Sequence, residues 1–273
     1  MALQYTSSIP SLPAGRQRLA HLVRVAGDVI SLDRAAEILE LDRPRTAKTL
    51  ARWAGQGWLR RVGPGRYVPA SLDTLESRLV LSDPWVLAPA LYGAGYIGGR
   101  TAAQHWDLTE QLFNDIVVMT TQPVRVKSQK RHGATFSLKH IAKVRLFGTK
   151  PVWRGQTKVE VSDVHRTIVD MLDDPAIGGG VQHVSDCLAA YLKRPDRDDA
   201  TLLAYADRLA NGAVFKRLGF LAEVDPNGSA LIAPCRQRLT KGNARLDPAL
   251  ESPRLVSRWR LWVPSRWAEQ GPR

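Results

Sequence analysis

Apolar residues recur at helical spacing in the first part of the chain. Leu19, Leu22, Val23 and Ala26 share one face over residues 15–26, with Arg16, Arg18 and Arg24 around the rest of the axis. Gly27-Asp28 ends this helix, and Val29-Ile30-Ser31 is a short extended piece. Asp33 is placed to cap a second helix that turns Ala35, Ala36 and Leu39 inward. After the break at Leu41-Asp42-Arg43-Pro44, a third helix runs from about Pro44 to Gly55, with Asp42 or Arg43 at its cap. Two stripes run along it. Ala47, Leu50, Ala51 and Ala54 form a small apolar one, while Arg45, Lys48, Thr49 and Arg52 form a cationic and hydroxylic one without an acid. Gly55 and Gly57 stop the helix, and the period then falls to two. Trp58–Val62 reads as a strand, Gly63-Pro64-Gly65 as a turn, and Arg66–Val68 as the return strand closed by Pro69.

Three short helices followed by a hairpin, with the cations on the third helix, predict a winged helix-turn-helix over residues 15–70 that binds duplex DNA. A recognition helix needs one face to dock on its own domain and another to enter the major groove. Arg45, Lys48, Thr49 and Arg52 supply the groove face. Arg43 and Thr46, near the helix start, are expected on phosphates or a base edge. Arg66 on the wing, with Arg60 and Arg61 at its base, is placed to reach phosphates or a minor groove.

Beyond Pro69-Ala70-Ser71 the pattern changes. Residues 72–82 are compatible with a connecting helix, and 97–107 with another through Ile97, Thr101, Ala102 and Trp106. Strands are expected at Asp115–Thr120, Val124–Lys127, Phe136–His140 and Lys158–Val161, in an antiparallel-looking meander. Helices follow from Ser162 or Asp163, with Val164, Ile168, Val169, Met171 and Leu172 inward, and then at about 180–193, 199–210, 212–224 and 228–239. Leu255–Val263 closes the pattern as one late strand. Strands first and helices after give an α+β fold, a small N-terminal domain followed by a larger mixed one. The division is a tail at 1–14, the DNA-binding domain at 15–70, the α+β domain at 71–264 and a tail at 265–273.

Charge sharpens this picture. The 273 residues carry 39 Lys and Arg against 26 Asp and Glu, a net charge of +13, which favours a polyanionic partner. Residues 121–150 hold Arg125, Lys127, Lys130, Arg131, Lys139, Lys143, Arg145 and Lys150 and no acid. They form either a second contact surface, for DNA backbone or an acidic partner, or a solvated sheet face. No run of eighteen apolar residues and no signal-peptide pattern occurs, so a cytoplasmic protein without membrane contact is expected. Cys187 and Cys235 then read as reduced thiols, although a bridge between them is compatible with the sequence.

Catalytic patterns are weak. Gly93-Ala94-Gly95-Tyr96-Ile97-Gly98 fits GxGxxG, but Pro84 and Pro89 make the preceding stretch a poor strand, so a Gly-rich packing turn is expected. Gly178-Gly179-Gly180 lacks the Lys-Ser/Thr of a phosphate loop. His183 and Cys187 have a chelating spacing without a second pair, and read as a buried Cys beside a surface His. No catalytic residue, metal site or cofactor is assigned. The rival is a DNA-targeted, metal-dependent nuclease-like enzyme, for which Asp163, Asp170 and Asp173 are the loosely grouped acids. A third reading is a ligand-sensing transcription factor.

Several segments resemble the AbiEi family of antitoxins and transcriptional autoregulators, mycobacterial-type members in particular. They are Tyr92–Arg100 with Ala103–Glu110, Leu146–Gly155, Val161-Ser-Asp with Arg166-Thr and Asp170, and Leu209–Gly219. Together with the N-terminal pattern the resemblance spans most of residues 15–263. It implies a type IV toxin–antitoxin protein. Its winged helix would bind inverted repeats in its own operator and repress the operon. Its larger domain would counteract a co-encoded nucleotidyltransferase-like toxin, directly or indirectly.

Overall fold

The computed structural model describes residues 13–70 and 83–269. The chain divides into two compact units, residues 1–79 with 153–157, and residues 80–152 with 158–273. The connecting helix expected at 72–82 lies outside the described residues.

The first unit contains α1 (Ala14–Ala26), β1 (Ile30–Ser31), α2 (Leu32–Leu39), α3 (Arg43–Gly55), β2 (Leu59–Gly63) and β3 (Arg66–Pro69). The strands form an antiparallel sheet in the order β1-β3-β2. Leu22, Ile30, Ala35, Leu39, Leu50, Trp53, Leu59 and Tyr67 make its core. The cap of α2 is Ser31 rather than Asp33: the Ser31 hydroxyl accepts from the Arg34 N–H at 3.2 Å, so the helix starts earlier than its acid suggests. Glu40, in the left-handed region at φ 52°, turns the chain between α2 and α3.

The second unit begins with α4 (Leu87–Tyr92), β4 (Gly95–Ile97), α5 (Gly99–His105) and β5 (Asp115–Thr120). Next come β6 (Ser128–Arg131), β7 (Ala134–His140), β8 (Thr149–Arg154) and β9 (Thr157–Ser162), of which residues 153–157 count with the first unit. The strands form one six-stranded sheet, β6-β7-β5-β4-β9-β8. It is mixed rather than an antiparallel meander, because β5 pairs parallel with β7 and β4 parallel with β9. The strand expected at Val124–Lys127 is β6, displaced to Ser128–Arg131. A tight turn at His132-Gly133, both at positive φ, fixes its pairing with β7. Gly95–Ile97 of the GxGxxG segment form β4. A Cβ at Gly95 would overlap the Met119 carbonyl of β5, and one at Gly99, at φ +55°, the Ile177 carbonyl. These glycines serve close backbone approach.

Five helices build the core beside this sheet: α6 (Val164–Asp173), α7 (Val181–Leu192), α8 (Asp199–Leu209), α9 (Gly212–Val224) and α10 (Ser229–Gln237). Ile168, Met171, Leu188, Tyr191, Leu218 and Phe220 are among its buried side chains. The single late strand is two, β11 (Arg254–Val256) and β12 (Leu261–Val263), separated by a 3-10 turn that buries Trp259, with β10 (Ala244–Arg245) parallel to β12. The C-terminal tail starts later than its composition suggests. Ser265–Ala268 form α11, held by burial of Trp267.

One buried charge cluster ties β4 to α6. The Tyr96 hydroxyl donates to Asp170 Oδ2 at 2.9 Å, and the Arg166 guanidinium donates to Asp170 Oδ1 and to the Tyr96 oxygen, each at 2.9 Å. Arg166 is fully buried and also lies 3.9 Å from the Phe147 ring centroid.

Candidate nucleic-acid interface

Helix α3 is started by Asp42, whose carboxylate accepts from the Arg45 N–H at 2.7 Å, with Pro44 in the first turn where a missing N–H is harmless. Its inner face differs from the alanine stripe. Thr46, Leu50 and Trp53 are buried, Ala47 and Ala54 are half-buried, and Ala51 is exposed. The indole of Trp53 outweighs an alanine methyl as buried apolar surface, so it sets the rotation of the helix. Thr46 follows it inward because its hydroxyl donates to the Asp42 carbonyl at 2.8 Å and is satisfied without water. Thr46 therefore leaves the proposed contact set.

The outer face carries exposed Arg45, Lys48 and Arg52. Thr49 is half-buried and donates to the Arg45 carbonyl at 2.9 Å. Thr49 and Arg52 line a groove of about 230 Å³ with Arg18 of α1, Leu41 and Trp53, so the cationic face extends onto α1. The sequence alone puts Arg18 around the α1 axis without linking it to α3. The signal for it lies in tertiary packing. Arg43 is exposed and lies 3.4 Å from Asp33, and Arg45 lies 3.3 Å from Asp42. Both pairs are solvent-exposed, so phosphates can displace them at small cost.

On the hairpin, Arg61 is the exposed arginine, beside a register shift between Arg61 and Gly63. Its Nε donates to the Gly63 carbonyl at 3.3 Å. Arg60 and Arg66 are half-buried. Arg66 follows the Pro64-Gly65 turn and pairs with Ser31 of β1. A bulge re-aims a side chain relative to simple alternation, and here Arg61 is the hairpin arginine left exposed.

In the second unit the basic segment splits. Arg125, Lys127, Lys130, Arg131, Lys143 and Lys150 are exposed. Lys139 and Arg145 instead turn toward Asp173, at 3.0 and 3.5 Å, and Arg145 also donates to the Leu209 carbonyl. They are ion-pair partners of the nearly buried Asp173, which sets them apart from the exposed cations of the segment. Burial opposes the Asp173 charge, yet Lys139, Asn211 and Arg145 hold its carboxyl below the ordinary range.

The acids of the enzymatic reading are each engaged. Asp163 caps α6, accepting from the Arg166 N–H at 2.8 Å, and takes the Tyr205 hydroxyl at 2.9 Å. Asp170 belongs to the buried cluster with Arg166 and Tyr96, and burial pushes its carboxyl up to about 6. Among the described residues no three His, Cys, Asp or Glu side chains come together in a group able to hold a metal ion. His183 is buried rather than superficial. Its ring nitrogens meet the Gly178 carbonyl and the Thr109 hydroxyl, with Cys187 Sγ at 3.6 Å. Cys187 and Cys235 are free and buried, and burial pushes each thiol up to about 12. Among the described residues no helix is long and apolar enough to cross a membrane.

No protein-family profile matches the chain, and no curated protein matches it. Among solved structures, the crystal structure of the RV2827C protein from Mycobacterium tuberculosis is similar, with a TM-score of 0.60 at 17% identity, over 92% of this chain and 92% of that one. The likeness runs through both units and is one of fold: a mixed α and β chain whose arrangement is shared with a mycobacterial protein.

Proposed function

We propose that the first unit is a winged helix-turn-helix that binds duplex DNA through α3, with the β2–β3 hairpin as its wing. The observation that carries this reading is the separation of faces on α3. Leu50 and Trp53 lock one side into the core, and Arg45, Lys48 and Arg52 project from the other with no acid among them. Arg61 and Arg66 on the hairpin, with Arg18 beside α3, extend the cationic surface. Arg43, Arg60 and Thr49 serve as phosphate or base-edge contacts at its border.

In this reading the chain is a non-enzymatic regulator that represses its own operon, and its second unit counteracts a co-encoded nucleotidyltransferase-like toxin. The antitoxin part rests on the resemblance to the AbiEi segments. The engagement of Asp163, Asp170 and Asp173 in structural bonds supports binding over catalysis. Footprinting on the DNA upstream of the gene tests the regulator: protection of inverted repeats is expected, and uniform protection would contradict it. Co-expression with the adjacent gene tests the antitoxin: growth arrest by the neighbour alone, relieved by this chain, is expected. Arrest that persists would remove that role.

A further inference from the structure

The second unit contains a cavity that the DNA-binding reading does not use. It has a volume of about 450 Å³ and lies where β6 and β7 meet the segment after α6. Its polar lining is Arg100, Lys127, Ser128, Ser137, Lys139, His140 and the carboxylate of Asp174, and its apolar lining is Val124, Leu138, Ala176 and Ile177. That size falls within the range of small-molecule sites, roughly 300–1,000 Å³.

The hydrogen-bond inventory is one-sided. Asp115 spends both carboxylate oxygens on Arg100 and Ser137. Asp174 spends one on the Ala176 N–H at 3.2 Å and the other on Lys139 at 3.1 Å. The donors are not exhausted. Lys139 has three N–H groups and meets two carboxylates, Asp173 and Asp174. Arg100 turns Nε and Nη2 to Asp115 and Nη1 to the Ala176 and Ile177 carbonyls, which leaves one Nη2 hydrogen. Lys127 and the Ser128 hydroxyl have no protein partner among the described residues. His140 Nδ1 lies 3.0 Å from the Gln122 carbonyl, which can only accept, so Nδ1 donates to it and Nε2 is left without a protein partner among the described residues.

The charges decide the ligand class. Asp115 balances Arg100, and Asp173 and Asp174 together balance Lys139 and Arg145, whereas Lys127 is uncompensated. Surplus donors, one unbalanced cation, an imidazole nitrogen open to a sugar hydroxyl and an apolar wall match a nucleotide with one phosphate group better than a triphosphate.

We propose that this cavity is a binding site for a mononucleotide, with its phosphate held by Lys127, Ser128, Lys139 and Arg100, its sugar facing His140 and its base against Val124, Leu138 and Ile177. The site lies wholly in the second unit, so its test needs no operator and can fail independently of the DNA-binding reading.

The test is calorimetric titration of the full chain with AMP, with adenosine and inorganic phosphate as separate arms. Saturable AMP binding is expected, competed by inorganic phosphate, with adenosine at least about tenfold weaker. Lys127→Ala, an exposed position, is expected to weaken AMP by about tenfold with an unchanged circular dichroism spectrum, and Ser128→Ala to weaken it less. Adenosine binding as tightly as AMP would overturn the proposal, as would AMP failing to saturate in the millimolar range. So would a Lys127→Ala chain that keeps its AMP affinity but loses affinity for duplex DNA, which would make the cavity rim a backbone contact.

Discussion

Asp42 accepts the backbone N–H of Arg45 at 2.7 Å while its second oxygen lies 3.3 Å from the same residue's guanidinium. One carboxylate thus starts α3 and holds the first outward cation of its exposed face. The two roles separate by substitution. Asn caps a helix as well as Asp does, whereas Ala does not. Asp42→Asn is expected to leave thermal stability almost unchanged and to raise DNA affinity by up to about fivefold, because an exposed competing charge is removed. Asp42→Ala is expected to cost about 1 kcal/mol of stability. Thermal melting and fluorescence anisotropy check both, and an Asp42→Asn chain that binds DNA more weakly would contradict the ion-pair account.

Thr46 tests the rotation of α3. It is fully buried and its hydroxyl is satisfied by the Asp42 carbonyl. Thr46→Val keeps the shape and loses the bond, so a stability loss of about 1 kcal/mol is expected with DNA affinity unchanged. A loss of affinity without a loss of stability would put Thr46 back on the DNA face.

The first unit was legible in the sequence because its signals are local. Caps, helical period and the Gly-Pro-Gly turn fix the elements within a few residues of themselves. The rotation of α3 was not, because Ala47–Ala54 and Thr46–Trp53 are both valid helical stripes, and only packing of the indole against Leu22 and Leu50 within one core distinguishes them. In the second unit the helices were legible from period and from the Asp163 cap. The sheet order was not, since the parallel pairing of β5 with β7 across an intervening β6 leaves no local trace. The same holds for the basic segment, where Lys139 and Arg145 look like their neighbours until Asp173 is brought beneath them.

The buried cluster in the second unit makes a pH-dependent prediction. The Asp170 carboxyl is raised by burial to about 6 from 3.8, against the attraction of Arg166. The folded chain therefore holds this proton more tightly than the unfolded one. The contribution of Asp170 to stability is present in full below its unfolded value and is lost as the pH rises through about 6. Carboxyl-carbon NMR is expected to show one aspartate with a midpoint near 6, absent in Asp170→Asn. A midpoint in the ordinary aspartate range would contradict this.

Removing the other partner is costlier. Arg166→Met leaves Asp170 buried without its cation, and a stability loss of about 3–5 kcal/mol is expected in denaturant melts of the full chain. A loss under about 1 kcal/mol would mean that the pair is dispensable to the fold.

The central claim is that the outer face of α3 binds DNA. It is tested most directly by the affinity of Arg45→Ala with Arg52→Ala for the DNA upstream of the gene, measured by anisotropy over a series of salt concentrations. The account predicts a loss of about 2–6 kcal/mol in the double variant if both arginines read bases, and a flatter salt dependence than in the unaltered chain. Undiminished affinity with the same salt slope would contradict it.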